Sequence, residues 1–357
     1  MSTSTNILVN KILTTAAKRK ASNIHLTVGA VPVLRIDGDL EELRNESVVT
    51  NDLIERLVHE WLDDEQKKIL EKEKEIMFSR EVGKNFRLKI NFFFQKKFLS
   101  ASLSFIPTEI PPLVNLGLPK SVYSLAEKNS GLIVVAGPFG SGRTTTVASL
   151  IEEINKTRNE NIVILERPIE YFFTNKKSII EQREVGRDVN SFVDGLEYVS
   201  QADVDVVAVG VNLEEEVIPL VIDFANSGRL AILTMDTTSA VKAIEDIIAS
   251  FDQEDKTRGQ SLVAESLLAV IAQRLVPRVG GGMSLASEVL IATNPVKSLI
   301  REGRFNQITS ILQSSRAEGM ITLDQSLASL VRSGEILIDQ AAKYAQDPEN
   351  FRAMVKS

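Results

Sequence analysis

Residues 131–151 read GLIVVAGPFGSGRTTTVASLI: an apolar run, a glycine-rich turn, then the opening of a helix. No other stretch restricts the fold so tightly. Leu132–Ala136 is a wholly apolar strand of the kind that lies inside a parallel sheet. The turn after it spaces Gly137, Gly140 and Gly142 so that the backbone can wrap an anion, which bulkier side chains would hold off. At Arg143-Thr144 a helix begins, and its first N–H groups and positive dipole end face whatever the turn encloses. The pattern predicts a phosphate-binding loop in which Gly137, Pro138, Gly140, Ser141, Gly142, Arg143, Thr144 and Thr145 surround a nucleotide's phosphates and the Thr144 hydroxyl holds Mg2+. One residue departs from it. Loops of this kind carry lysine, a compact ammonium, where Arg143 brings a wide planar fork. The competing reading is a glycine turn that binds nothing; the intact glycines and hydroxyl favour retained binding.

Downstream, apolar strands at Leu132–Ala136, Ile162–Leu165, Val204–Val209 and Leu230–Thr234 alternate with helical stretches at Thr144–Lys156, Asn190–Ser200, Glu214–Ala225 and Ala240–Ser250. Such alternation predicts an α/β domain with a mostly parallel sheet covered on both faces. From Pro295 to the end the chain reads as helical throughout. Upstream, Asn6–Arg19 places Ile7, Leu8, Ile12 and Leu13 on one helical face, and Asn51–Glu71 reads as one helix burying Leu53, Leu57 and Trp61. Strands are expected at Val31–Ile36, Ile76–Arg80, Phe86–Phe94 and Phe98–Ile106, with residues 82–85 as a hairpin turn. His25 reads as a structural strand residue. The boundaries expected are a small α+β domain at 1–107, a Pro-bearing linker at 108–120, and a nucleotide-binding domain with a helical C-terminal region at 121–357.

A net charge of -7 offers no footprint for nucleic acid, and the absence of cysteine excludes disulfides and zinc thiolates. No apolar run approaches the ~18 residues of a membrane span, and the N-terminus has no signal pattern, so a cytoplasmic protein is expected.

Nearly the whole chain, from about Ala21 to about Leu337, resembles the hexameric secretion ATPases of type II and type IV systems, most closely the type IV pilus retraction ATPases. Residues 21–26 and 35–39 are similar to the opening of that family's PAS-like domain, and 137–146 to its Walker A loop. Leu165-Glu166-Arg167-Pro168-Ile169-Glu170 falls on its aspartate box, Asp203-Val204-Asp205 with Gly210 on its Walker B region, Thr234–Ala240 on its histidine box, and residues 298–302 on a signature of the retraction branch. The resemblance implies a RecA-like P-loop ATPase domain preceded by a PAS-like domain. It also implies ATP and Mg2+ as ligands, a homo- or hetero-hexamer with a retraction ATPase, and a pilus platform protein at the inner membrane as partner.

The departures fall where the chemistry is expected. Val211 stands at the position of the family's water-activating glutamate, Arg167 at the aspartate of its box, and Asp236 at its histidine. Family arginines fall on Lys89, Ser104, Gln201 and Leu213, while Arg87 remains as a nucleotide contact. An isopropyl group neither accepts a proton nor orients water. The resemblance thus implies a motor-type protein of pilus retraction and twitching motility with hydrolysis impaired or lost. Two alternatives stand: a rewired active ATPase with Glu166 as base, and a non-catalytic regulatory partner of an intact motor.

Overall fold

The computed structural model describes residues 3–83, 86–210, 214 and 216–356, with side chains from residue 8 onward. The chain forms two compact units, one running to Thr108 together with Gly280–Gly282, the other comprising Glu109–Val279 and the chain from Met283 on.

In the first unit, α1 (Thr3–Lys18), β1 (Asn23–Thr27), β2 (Val33–Ile36), β3 (Asp39–Glu42), α2 (Asn51–Trp61), α3 (Asp64–Glu73), β4 (Glu75–Val82), β5 (Phe86–Gln95) and β6 (Phe98–Ile106) follow in order. The strands form one antiparallel sheet, β3-β2-β1-β6-β5-β4. Period-2 alternation sends Ile24, Leu26, Leu88, Ile90, Phe92 and Leu103 into a core shared with Ile12 and Leu13 of α1 and with Leu57 and Trp61 of α2. Trp61 and Phe78 each pack on Phe92, with ring centroids 6.2 and 6.0 Å away. The single helix expected over Asn51–Glu71 is two. Leu62 is extended, and Asp63 starts a new helix with a capping box: its carboxylate accepts from Gln66 N at 2.8 Å, while its own N–H donates to Gln66 Oε1 at 3.2 Å. The side chain of Ile7 and residues Lys84 and Asn85 lie outside the described residues.

The second unit holds a seven-stranded sheet, β13-β12-β7-β11-β10-β8-β9, built from β7 (Gly131–Ala136), β8 (Asn161–Glu166), β9 (Ile179–Glu184), β10 (Val206–Val209), β11 (Leu230–Met235), β12 (Leu267–Pro277) and β13 (Met283–Ile291). Every pairing is parallel except the β12–β13 hairpin. Its central strands are buried on both faces, so β7 sends Leu132, Val134 and Ala136 into one core and Ile133 and Val135 into the other. The helices are α4 (Lys120–Tyr123), α5 (Arg143–Thr157), α6 (Phe192–Gln201), α7 (Val217–Asn226), α8 (Ala240–Ala249), α9 (Lys256–Ser266), α10 (Asn294–Arg301), α11 (Phe305–Ser314), α12 (Leu323–Arg332), α13 (Ile338–Ala341) and α14 (Pro348–Lys356). Ser191 and Ser239 N-cap α6 and α8. Helix does not run unbroken from Pro295: the 315–322 connection carries Ile321, whose backbone bridges to Val289 of β13. Leu113 and Leu118, within the proline-bearing stretch, are buried in this unit's core.

Candidate phosphate site

The site lies where the parallel strands end and α5 begins. Gly142 is the N-cap of α5 in the left-handed region, φ 91, and makes no side-chain cap bond, so the first helical N–H groups have no side-chain partner at the cap. Gly137 is needed for space. A Cβ there would stand 2.3 Å from Ser141 Oγ and 2.7 Å from the Gln273 carbonyl, so the loop is closed tightly enough to exclude any side chain at its entrance. Gln273 of β12 fixes the other end by donating its Nε2 to the Ser141 carbonyl at 2.9 Å. Ser141 Oγ in the turn, Gln273 Oε1 on the residue that braces it, and Thr237 Oγ1, two residues past Met235, are buried without a protein partner. Buried polar groups are normally satisfied, so a glycine turn with unmet polar atoms in it fits a bound polar ligand such as phosphate.

Arg143 does not project freely. Its side chain is 7% exposed, its Nη1 donates to the Met235 carbonyl at the end of β11 at 2.7 Å, and the same nitrogen lies 3.8 Å from Asp236 Oδ1. Burial pulls the guanidinium below its ordinary value, while the carboxylates of Asp236 and Glu170 push it back up. Two of the departures noted in the sequence, at 143 and 236, are therefore neighbours. Arg274, which donates to the Thr238 carbonyl at 3.1 Å, also feels the Asp236 charge.

Beside the loop, Thr144, Glu166, Arg167, Glu170, Gly210 and Thr234 line a cleft across the strand ends. This is where open α/β sheets present ligand-binding groups. Its wall is stitched to the sheet edge by β9: Gln182 accepts from Phe173 N and donates to the Tyr171 carbonyl, and Glu184 accepts from Ile169 N. Arg167 pairs with Glu214 at 3.1 Å, and Arg183 lies over the Tyr198 ring, 4.9 Å from its centroid. The Thr145 hydroxyl is bonded to Tyr171 Oη at 2.9 Å.

The chain brings Gly137, Pro138, Gly140, Ser141, Gly142, Arg143, Thr144 and Thr145 together in one loop, and Glu166 lines the same cleft as Thr144. Arg87 belongs to the first unit, where it is buried and donates to Ser79 Oγ at 3.0 Å. Asp203 and Asp205 precede β10, at the end of the sheet away from the loop, and the Asp205 carboxylate accepts from Asn161 N. Val211 and Leu213 lie outside the described residues. Among the described residues no group of three or more His, Asp or Glu side chains is placed to hold a metal by itself. Gln273, Tyr171 and the Arg143–Asp236 contact carry no local signal in the sequence, since each meets the loop through sheet pairing or chain reversal.

A glycine loop joining a buried parallel strand to a helix whose glycine N-cap offers its first N–H groups no side-chain partner defines the P-loop class of α/β proteins. The chain belongs to the Type II/IV secretion system protein family, whose family model matches residues 2–284. It is 35% identical to the type IV pilus retraction ATPase PilT of Pseudomonas aeruginosa over 96% of this chain and 99% of that protein. Similarity to a twitching motility protein of Neisseria gonorrhoeae is 36% identity over 90% of this chain and 86% of the relative. Its fold matches the crystal structure of the pilus retraction motor PilT with bound ADP, with a TM-score of 0.82 and 35% identity over 96% of this chain and 98% of that one.

Proposed function

We propose that the chain is a nucleotide-binding, ring-forming subunit of a type IV pilus retraction-type motor in which ATP hydrolysis is impaired or lost. What carries this reading is the contrast within the site. The backbone cradle at Gly137–Thr144 is intact and braced by Gln273, whereas the loop's cation is committed to Met235 and Asp236. N–H donors bind phosphate without help from lysine, while phosphoryl transfer depends on charge placed against the transferring group. The ligand is ATP or ADP with Mg2+; bound there, Mg2+ neutralises phosphate charge, and Thr144 would hold it. The arrangement has residues 1–107 as a PAS-like domain, 108–120 as a linker and 121–357 as the nucleotide domain with its helical C-terminal region. Arg87 is the first-domain arginine that the family resemblance leaves for a neighbouring subunit's nucleotide. Six such subunits, alone or mixed with an intact retraction ATPase, form the ring, which works in the cytoplasm against a platform protein of the inner membrane. No helix among the described residues is long and apolar enough to cross a membrane.

A second reading is favoured by Glu166, which lines the same cleft as Thr144 and lies beside Gly210. A carboxylate there can serve as the base of a rewired motor. The test is calorimetry of the full chain with MgADP and MgATP, run beside a phosphate-release assay, alone and mixed with an intact retraction ATPase. Binding with release at background is expected. No binding at millimolar nucleotide would sink the nucleotide reading; steady turnover abolished by Glu166→Gln would replace it with the rewired enzyme.

A further inference from the structure

The phosphate loop's cation is already claimed by the protein, and this has a consequence for affinity that rests on the nucleotide-binding reading above. Arg143 is all but buried, with Nη1 on the Met235 carbonyl at 2.7 Å and Asp236 Oδ1 at 3.8 Å, whereas the Asp236 side chain is 55% exposed. The carboxylate therefore stands on the solvent side of the pair. We propose that Asp236 is a gate on the loop: it holds the Arg143 guanidinium against the end of β11, so that an entering phosphate must displace a carboxylate to gain the cation.

Three observations support the gate. The bond from Nη1 to Met235 is made to a carbonyl that also accepts from Gly137 N at 3.2 Å, so the first residue of the loop and the first residue of α5 share one anchor. Asp236 follows that anchor directly in the chain, and its neighbour Thr237 is buried with its hydroxyl unpartnered. The other charges near the pair are Glu170, which acts on Arg143, and Arg274, which acts with Asp236. A carboxylate at this place opposes a polyphosphate twice, by repelling its charge and by competing for a guanidinium that suits phosphate as well as carboxylate. Because Asp236 is more than half exposed, the effect is of the size of a surface ion pair and is screened by salt.

The experiment is calorimetric titration of the full chain and of Asp236→Asn with MgADP, with inorganic pyrophosphate and with adenosine, at low and at physiological salt. The gate predicts that Asp236→Asn tightens ADP and pyrophosphate roughly three- to fivefold at low salt, less at higher salt, and leaves adenosine unmoved. Asp236→Glu should keep the weaker affinity, and in an Arg143→Ala background the gain from Asp236→Asn should vanish, since no cation is left to release. A purely structural Asp236 would shift the melting temperature without this dependence on phosphate. If the wild type binds ADP and Asp236→Asn binds it equally or more weakly, the gate is wrong and the nucleotide reading stands. If neither protein binds ADP or pyrophosphate, the nucleotide reading fails and the gate falls with it.

Discussion

The loop at Gly137–Thr146 and the rim of strand ends around it meet the same solvent, but one works through backbone and the other through side chains. The loop is shaped by glycine geometry and by the Gln273 bond to Ser141, and its donors are main-chain groups that no substitution short of proline deletes. On the rim, by contrast, each function hangs on a single side chain. There Arg167 is paired with Glu214, and Asp236 faces Arg143. Backbone function persists as long as the fold does, whereas side-chain function can be lost one residue at a time while the fold is kept. A site of this kind can bind without turning over.

The largest effect that would break this comparison is turnover. General-base groups commonly contribute about 10²–10⁴-fold, so the chain is expected to release phosphate at background. Val211→Glu alone should add little, because Arg143 would still be tied to Met235 and Asp236; Val211→Glu with Arg143→Lys should exceed both single changes. A phosphate-release assay on the four proteins checks it, and a double variant no faster than the better single change would break the pairing of the two losses.

Next in size is the loop itself. Gly137→Ala places a methyl group 2.3 Å from Ser141 Oγ and 2.7 Å from the Gln273 carbonyl, and the latter is backbone that cannot swing away. Relief requires the loop to open, at about 1–3 kcal/mol of stability, and ADP affinity should drop by more than roughly tenfold as its N–H groups splay. Calorimetry and thermal unfolding measured together test this: unchanged ADP binding would mean that the cradle is not where phosphate sits.

The brace gives a smaller effect. Gln273→Leu removes the donor to the Ser141 carbonyl and also an unpartnered Oε1, so the two changes partly offset each other and net stability should move by about 1 kcal/mol or less. ADP affinity should still fall several-fold, because the loop's far end is no longer fixed. Equal affinity in titrations of variant and wild type would show that glycine geometry alone shapes the loop.

How much of this is legible in the sequence differs between the same two regions. The loop can be read because its residues are contiguous, and the strands β7, β8, β10 and β11 because burial on both faces makes them continuous apolar runs. The aspartate-box segment can be placed, but not the stitching of its 169–173 stretch by Gln182 and Glu184, which depends on β9 pairing in parallel with β8. The β12–β13 hairpin is not among the expected strands, and Gln273 goes unread with it; it reaches the loop only because β12 pairs with β7, more than a hundred residues earlier. In the first unit the break at Leu62-Asp63 goes unread because helix-forming residues continue on both sides of it, although the Asp63 and Gln66 capping pair is visible in the chain.

The effect farthest from the phosphate chemistry, one on stability alone, lies behind the rim at Glu288 of β13. Its carboxylate is 3% exposed, accepts from Ala240 N at the start of α8 at 2.7 Å and from Gln346 Nε2 at 3.1 Å, and so ties the turn after Asp236 to the C-terminal helices. Burial pushes this carboxyl above its ordinary value of 4.5; the bonds from Ala240 and Gln346 pull the other way, and nearby Asp324 adds to the rise. A carboxyl raised in the folded state binds its proton more tightly there than in the unfolded chain. Its stabilising contribution is therefore complete below 4.5 and is lost as pH rises through the raised value. Each tenfold gain in proton affinity on folding is worth about 1.4 kcal/mol. Glu288→Gln keeps an acceptor for Ala240 N and removes the titration. Urea unfolding from pH 4 to pH 8 should show the wild type losing stability relative to Glu288→Gln as pH rises, with the gap opening above 4.5. Parallel curves would mean that the carboxylate is fully compensated where it sits, and that the buried link between the rim and the C-terminal helices is as indifferent to charge as the backbone of the loop.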